Sequence, residues 1–150
     1  MKDKVVVITG GSSGIGKALA EEFGSKGSKI VITGRNKQAL EGAENELAQK
    51  GITIAGFQAD ASSEDDNKKM ADFALEHFGK IDILIANAGI SMRALFKDVD
   101  LDVVKQVMDI NFYGVLYATK YCLPSIEENK GSVIGISSIA GFRGLPGRTG

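Results

Sequence analysis

Apolar residues along this chain fall into two alternating kinds of block. Short continuous runs cover Val5–Thr9, Lys29–Thr33, Thr53–Ala59, Asp82–Ala86 and Ser132–Ser137. Between them lie longer stretches in which apolar positions recur every three or four residues. The runs read as strands and the periodic stretches as helices. The first helix is predicted over Gly14–Lys26, with Ile15, Ala18, Leu19, Glu22 and Phe23 on one face. Asn36 can cap a second over Lys37–Gln49, striped by Ala39, Leu40, Ala43 and Leu47. Ser62 or Ser63 can cap a third. Asp65 and Asp66 lie three residues on, as in a capping box with Asp replacing Glu. Met70, Phe73, Ala74 and Phe78 form its apolar face.

A long helix is predicted over Leu101–Leu123, roughly 35 Å in length. Val103, Val104, Val107, Met108, Ile110, Phe112, Val115 and Leu116 make it apolar on more than one face, so it is expected to be buried on several sides. One side can cover the sheet and another can meet a second subunit. Pro124 is expected to end or kink it, and Ile139–Gly150 reads as loop.

Strands that are continuously apolar, rather than alternating, belong to parallel sheets covered on both faces. Right-handed crossovers favour a doubly wound α/β sheet of order 3-2-1-4-5, truncated after strand five. The carboxyl ends of strands 1, 4 and 5 then surround one crevice, where ligands bind in such sheets.

Composition narrows the functional classes. The 150 residues suffice for one domain, and 43% hydrophobic with 25% charged residues is ordinary for a globular domain. Eighteen basic against 19 acidic side chains give a net charge of −1, which argues against a nucleic-acid footprint or a polybasic membrane patch. Met1–Lys4 is too short and polar to open a signal peptide, and no apolar run approaches spanning length. The single cysteine, Cys122, excludes an internal disulfide and suits a reducing compartment, with the cytoplasm as default. No His, Cys, Asp or Glu cluster has metal-ligand spacing. His77, the one histidine, is expected to favour a helix C-terminus electrostatically. Cys122 is expected in the core, and Arg143 and Arg148 in solvent.

The most informative stretch is Val5–Gly16, where a β-branched run enters a glycine-rich turn and a helix opens immediately behind it. Such a turn brings main-chain N–H groups close to an anion, and the helix adds a partial positive charge. Gly10, Gly14 and Gly16 are spaced G-x-x-x-G-x-G, with Thr9 in front. In order there follow Asn87-Ala88-Gly89 after strand four, Asn111 in the long helix and Ile136-Ser137-Ser138 ending strand five. Together these resemble the short-chain dehydrogenase/reductase family, whose fold is a Rossmann sheet. The resemblance covers the whole chain. It implies hydride transfer between a nicotinamide cofactor and a small carbonyl or alcohol substrate.

The resemblance also assigns roles. Gly10, Gly14, Ile15 and Gly16 belong to the turn that holds the cofactor diphosphate, and Ser12 and Ser13 within it can donate to that diphosphate, to a 2′-phosphate, or simply serve the turn. The family's ribose-binding acid falls at Gly34, which carries no side chain, while Arg35 and Asn36 follow. A guanidinium suits a 2′-phosphate, so NADP (as NADPH) is preferred, with NAD as the alternative. Asp60 and Ala61 are implied to contact adenine. Asn87, Ala88 and Gly89 correspond to the family's Asn-Asn-Ala-Gly, with Ala86 replacing its first Asn, and Asn87 can also tie neighbouring strands together. Ser138 matches the serine that bonds the substrate oxygen, and Asn111 the asparagine of the proton relay. An Asn in a long helix can instead simply bond a backbone carbonyl. Met92, Arg93 and Phe96 follow the Asn87 turn, where substrates enter in the family or where a loop simply packs.

The family's catalytic Tyr falls thirteen residues beyond Ser138, just past Gly150, with Lys four residues later. Tyr113, Tyr117 and Tyr121 have no Lys four residues on and do not replace it. The expectation is therefore an incomplete domain that is inactive alone and belongs to a homodimeric or homotetrameric enzyme. The alternative is a nucleotide-binding or interaction module without catalysis.

Overall fold

A computed structural model describes residues 1–147; Arg148 lies outside the described residues. Five parallel strands, β1 (Val5–Ile8), β2 (Lys29–Gly34), β3 (Ile54–Gln58), β4 (Ile83–Ala86) and β5 (Ser132–Gly135), form one sheet in the order β3-β2-β1-β4-β5. The expected order is the observed one. Val6 lies level with Ile30 and Ile83, so the three central strands share a register. β1 is fully buried, as its unbroken Val-Val-Val-Ile run requires. Helices α1 (Gly14–Ser25), α2 (Lys37–Gln49) and α3 (Glu64–Phe78) alternate with the strands. After a short 3₁₀ turn at Phe96–Asp98 come α4 (Leu101–Met108), a π-helical segment at Asp109–Tyr113, and α5 (Gly114–Glu128). Two apolar clusters fill the two faces: Val6, Ile8, Leu40 and Leu47 are in one, and Val7, Met70, Leu84 and Cys122 in the other.

The helix caps follow the local sequence. Asn36 Oδ1 accepts from Ala39 N at 3.0 Å, and Ser63, not Ser62, caps α3 by accepting from Asp66 N at 3.1 Å. Asp66 does not complete the box on Ser63. Its Oδ2 accepts from Asp60 N at 2.8 Å, fastening the loop after β3 instead. His77 occupies the last turn of α3, its ring 4.6 Å from that of Phe73.

Several expectations need correction. The buried seam of α1 is Gly16, Ala20 and Gly24, with Leu19 and Phe23 only half-buried; Ile15 and Ala18 are exposed. Small residues let this helix lie close to the sheet, so the seam is not the most apolar one. On α2, Ala39 is exposed beside buried Leu40, Ala43 and Leu47. The long helix is interrupted by the π segment and runs through Pro124 to Glu128. Its second apolar face is not buried: Met108, Phe112 and Leu116 are each nearly half exposed. β5, at the sheet edge, is exposed at every position. The final loop contains a 3₁₀ turn at Ile139–Gly141, and Arg143 is exposed as expected.

Candidate functional site

The carboxyl ends of β1 to β4 open onto a cleft of about 390 Å³. On the β1 side it is lined by Gly10, Ser12, Ser13 and Ile15; Ile15 is 62% exposed because it faces this space. The turn is anchored to β2 by Gly11 N, which donates to Thr33 O at 2.8 Å. Gly16 lies behind it: a Cβ there would fall 2.3 Å from Gly10 O and 2.6 Å from Asn87 Nδ2. Ser13 precedes α1 but makes no side-chain cap, and the first turn of α1 holds no acidic residue. In contrast, α2, α3 and α4 are each capped by a side chain. The first N–H groups of α1 therefore face the cleft without the side-chain acceptor that usually satisfies them.

The opposite wall follows β4. Asn87, Ala88 and Gly89 line the cleft together with Ile90 and, from the π segment, Ile110. Thr9 Oγ1 accepts from both Asn87 N and Ala88 N at 3.0 Å. Asn87 Nδ2 donates to Thr9 O at 3.0 Å and Gly10 O at 3.1 Å. Asn87 thus ties the neighbouring strand ends together, and the glycine turn is held from both sides.

At the far end stand Thr33, Gly34, Arg35, Ala59, Asp60 and Ala61. Asp60 Oδ1 accepts from Ser62 N at 2.9 Å and Ser62 Oγ at 2.7 Å. Burial pushes the Asp60 carboxyl up, but these bonds and the nearby Arg35 guanidinium outweigh burial and hold it below the usual carboxylate value. Asn67, buried in α3, donates to Ala61 O at 2.9 Å and Ser63 O at 2.7 Å, so the loop after β3 is fixed from beneath. Gln58 Nε2 donates to Arg35 O at 2.9 Å. An adjoining hollow of about 320 Å³ continues past Arg35, Gln58 and Asp66.

Five of the proposed site residues do not line the cleft. Gly14 and Gly16 shape the turn from within α1, and Asn36 caps α2. Asn111, in the π segment, accepts from Ile90 N through Oδ1 and donates to Ile90 O through Nδ2, each at 2.8 Å. Ser138 stands beyond β5, whose pairing continues as Ile136 N donates to Ala86 O at 2.9 Å. Its Oγ accepts from Ala140 N at 3.2 Å. Met92 is buried as a packing residue, and Arg93 and Phe96 are exposed. Tyr121 is tied to Glu64 Oε1 at 2.7 Å, away from the cleft. Cys122 is buried in the core, and burial pushes its thiol up to about 12.

The sequence reading missed Thr33, Ala59, Ile90 and Ile110 as lining residues. Thr33 and Ala59 could have been found as the carboxyl ends of strands 2 and 3. Ile90 and Ile110 carry no mark that separates a cleft wall from core. No helix among the described residues is long and apolar enough to cross a membrane, and no group of potential metal ligands is present among them.

A parallel β3-β2-β1-β4-β5 sheet with a glycine turn at the crevice defines a doubly wound α/β domain of the Rossmann type. The family model described as short chain dehydrogenase matches residues 4–150, and the chain belongs to that family. It is 41% identical over 140 residues to 11-beta-hydroxysteroid dehydrogenase-like 2 of Arabidopsis thaliana, covering 90% of this chain and 44% of that protein. It is 41% identical over 154 residues to dehydrogenase/reductase SDR family member 7B of Mus musculus, covering 99% and 48%. A solved short chain dehydrogenase/reductase from Burkholderia phymatum in complex with NAD matches with a TM-score of 0.95 at 30% identity, covering 98% of this chain and 53% of that one. An alcohol dehydrogenase from Thermococcus sibiricus complexed with 5-hydroxy-NADP matches with a TM-score of 0.92 at 28% identity, covering 96% and 62%. The chain thus spans about half the length of the relatives it matches.

Proposed function

We propose that the whole protein is an NADP(H)-dependent oxidoreductase that transfers hydride between nicotinamide and a small carbonyl or alcohol. The observation that carries this reading is the amino end of α1, uncapped by any side chain and opening onto the cleft beside Gly10 and Ser12. A diphosphate fits there, because it supplies the acceptors that Ser13 does not. Arg35 stands at the far end with no carboxylate at position 34, and a guanidinium there favours a 2′-phosphate. Asp60 and Ala61 form the adenine wall, while Asn87, Ala88 and Gly89 admit the cofactor through their small profile and fixed backbone.

A nicotinamide cofactor held in this cleft would supply the hydride chemistry. Around it, Ser138 would donate its hydroxyl hydrogen to the substrate oxygen while its Oγ still accepts from Ala140 N. Asn111 holds Ile90 by both main-chain atoms and so fixes that wall; its second Nδ2 hydrogen remains for a relay water. The Tyr that would exchange the proton, and its Lys, are expected thirteen and seventeen residues past Ser138 by the family resemblance. These 150 residues alone are then expected to be inactive. The same reading places the enzyme in the cytoplasm as a homodimer or homotetramer.

The test is Arg35→Ala in the full-length protein, with Kd for NADPH and NADH read by fluorescence titration. A charge-assisted phosphate contact contributes about 1.5–3 kcal/mol, so NADPH should weaken roughly 10- to 100-fold and NADH by less than about threefold. Equal losses for both cofactors would refute the NADP preference.

A further inference from the structure

Gly114 opens α5 as the first of a buried series that continues through Ala118, Cys122 and Ile126. A Cβ built on it would fall 2.7 Å from Ala61 O, 3.3 Å from Ala61 C and 3.4 Å from Ala61 Cβ. The helix thus starts hard against the loop that follows β3. That loop is firmly held. Asn67, 2% exposed, commits both Nδ2 hydrogens to it, one to Ala61 O at 2.9 Å and one to Ser63 O at 2.7 Å. Asp60 N donates to Asp66 Oδ2 at 2.8 Å, and Ser62 donates to Asp60 Oδ1 through N and Oγ.

Three residues before Gly114 stands Asn111, which bonds both main-chain atoms of Ile90 in the loop after β4. The π segment therefore bears on two walls of the cleft. Through Gly114, immediately behind it, it rests on the Ala61 loop; through Asn111 it holds Ile90. The body of α5 is fixed, because Ala118 and Cys122 are fully buried in the cluster shared with α3 and the sheet. A push on Gly114 is then taken up in the π segment, the irregular turn between α4 and α5. We infer that Gly114 and Asn67 are positioning residues. Together they seat the π segment on the loop after β3 and so set where Asn111, and through it Ile90, stands. The inference rests on the dinucleotide reading above, in which Ala61 belongs to the adenine wall and Asn111 to the proton relay. It adds a mechanical link between the two.

The experiment is a double-mutant cycle in the full-length protein: unaltered, Gly114→Ala, Asn67→Ala and the double variant. Hydrogen exchange is read at the Ile90 amide without ligand, with the amide of buried Val7 in β1 as reference. Adenosine 2′,5′-bisphosphate is titrated alongside by calorimetry. Ile90 N donates to Asn111 Oδ1, so its exchange reports the contact directly. With Asn67 present, Gly114→Ala is expected to speed exchange at Ile90 about fivefold or more relative to Val7, while bisphosphate affinity changes less than about twofold. With Asn67→Ala the loop yields instead. Gly114→Ala then speeds Ile90 by a further factor of less than about two and weakens the bisphosphate about fivefold. A merely structural role would lower the protection of both amides together. If Gly114→Ala fails to fold, Asn67→Ala alone decides: loosening the seat should speed Ile90 at least about twofold relative to Val7, and an unchanged ratio overturns the link. Equal acceleration of Ile90 by Gly114→Ala in both backgrounds, or none with Asn67 present, also overturns it. If the unaltered protein does not bind the bisphosphate, the NADP(H) reading falls, and the exchange ratios, which need no ligand, still decide the link.

Discussion

Replacing Gly16 by alanine tests whether close approach of α1 to the turn builds the cleft. The added Cβ would lie 2.3 Å from Gly10 O, 3.0 Å from Gly10 C and 2.6 Å from Asn87 Nδ2. None of these atoms is the free end of a flexible side chain. Gly10 is main chain, and Asn87 Nδ2 is already bonded to Thr9 O and Gly10 O at 3.0 and 3.1 Å. The overlap is relieved only if α1 lifts from the sheet or Asn87 swings out. Overpacking of this kind costs about 1–3 kcal/mol, and loss of two hydrogen bonds adds roughly 0.5–1.5 kcal/mol each. Alanine returns about 1 kcal/mol of helix propensity, leaving a net loss of about 1–5 kcal/mol.

Gly14→Ala is the matched control. Gly14 has a φ of 54° but nothing within 4 Å of its Cβ position, so only backbone strain opposes the change. That strain is about 1–2 kcal/mol, less about 0.4–1 kcal/mol from a stiffer unfolded chain. Urea unfolding and NADPH titration of both variants in the full-length protein give the comparison. Gly16→Ala should lose at least twice the stability lost by Gly14→Ala, and should weaken NADPH by tenfold or more. A Gly16→Ala protein as stable as the Gly14→Ala one, or with affinity within twofold of the original, would refute the reasoning.

Two further outcomes follow from buried groups outside the cleft. Asp82, with its side chain 1% exposed, pairs with Lys4 at 2.6 Å and Lys80 at 3.0 Å and accepts from Val5 N at 2.9 Å. Burial raises its pKa, but the Lys4, Val5 and Lys80 bonds outweigh burial and leave it below 3.8. Its stabilisation is therefore present above the unfolded value and lost as pH falls through the folded one. Asp82→Asn should cost about 1–3 kcal/mol at pH 7 and flatten the acid limb of a stability–pH curve below pH 4; an unchanged acid limb would count against the assignment. Cys122, with its thiol near 12, should resist Ellman's reagent at pH 8 in the native protein and react on unfolding; rapid native labelling would contradict its burial.

Strand positions and their order were legible because a buried parallel strand must be apolar on both faces, as Val5–Ile8 and Ile30–Ile32 are. The turn was legible because close backbone approach excludes side chains at Gly16. The seam of α1 was not, because Gly16, Ala20 and Gly24 are chosen for smallness while hydrophobicity ranks Ile15 first. Ile15 serves the cleft, so its apolar character pointed to the wrong face. Asn111 was placed in the right element, but its grip on both main-chain atoms of Ile90 depends on a π segment that no periodicity announced. Asn67 escaped notice because a buried polar residue on a helix looks like a solvated one until its partners, Ala61 O and Ser63 O, are known.

The exposed stripe on α4, the π segment and α5 follows from the same limit. Met108, Phe112 and Leu116 recur at four-residue spacing, as do Ile110, Gly114, Ala118, Cys122 and Ile126 beside them. A step of four residues drifts about 40° on a regular α-helix, and a π turn, which takes more residues per revolution, absorbs one such step. The second set is buried, with Ala118, Cys122 and Ile126 in the cluster between the sheet and α3; the first is left outside, with the Phe112 and Tyr113 rings edge to face at 5.3 Å. Hydrophobicity marks any surface that leaves water, whether it does so against its own sheet or against another molecule. Sequence pattern therefore found two apolar faces on this helix, and only the packed structure separates the one that completes the fold from the one that remains available.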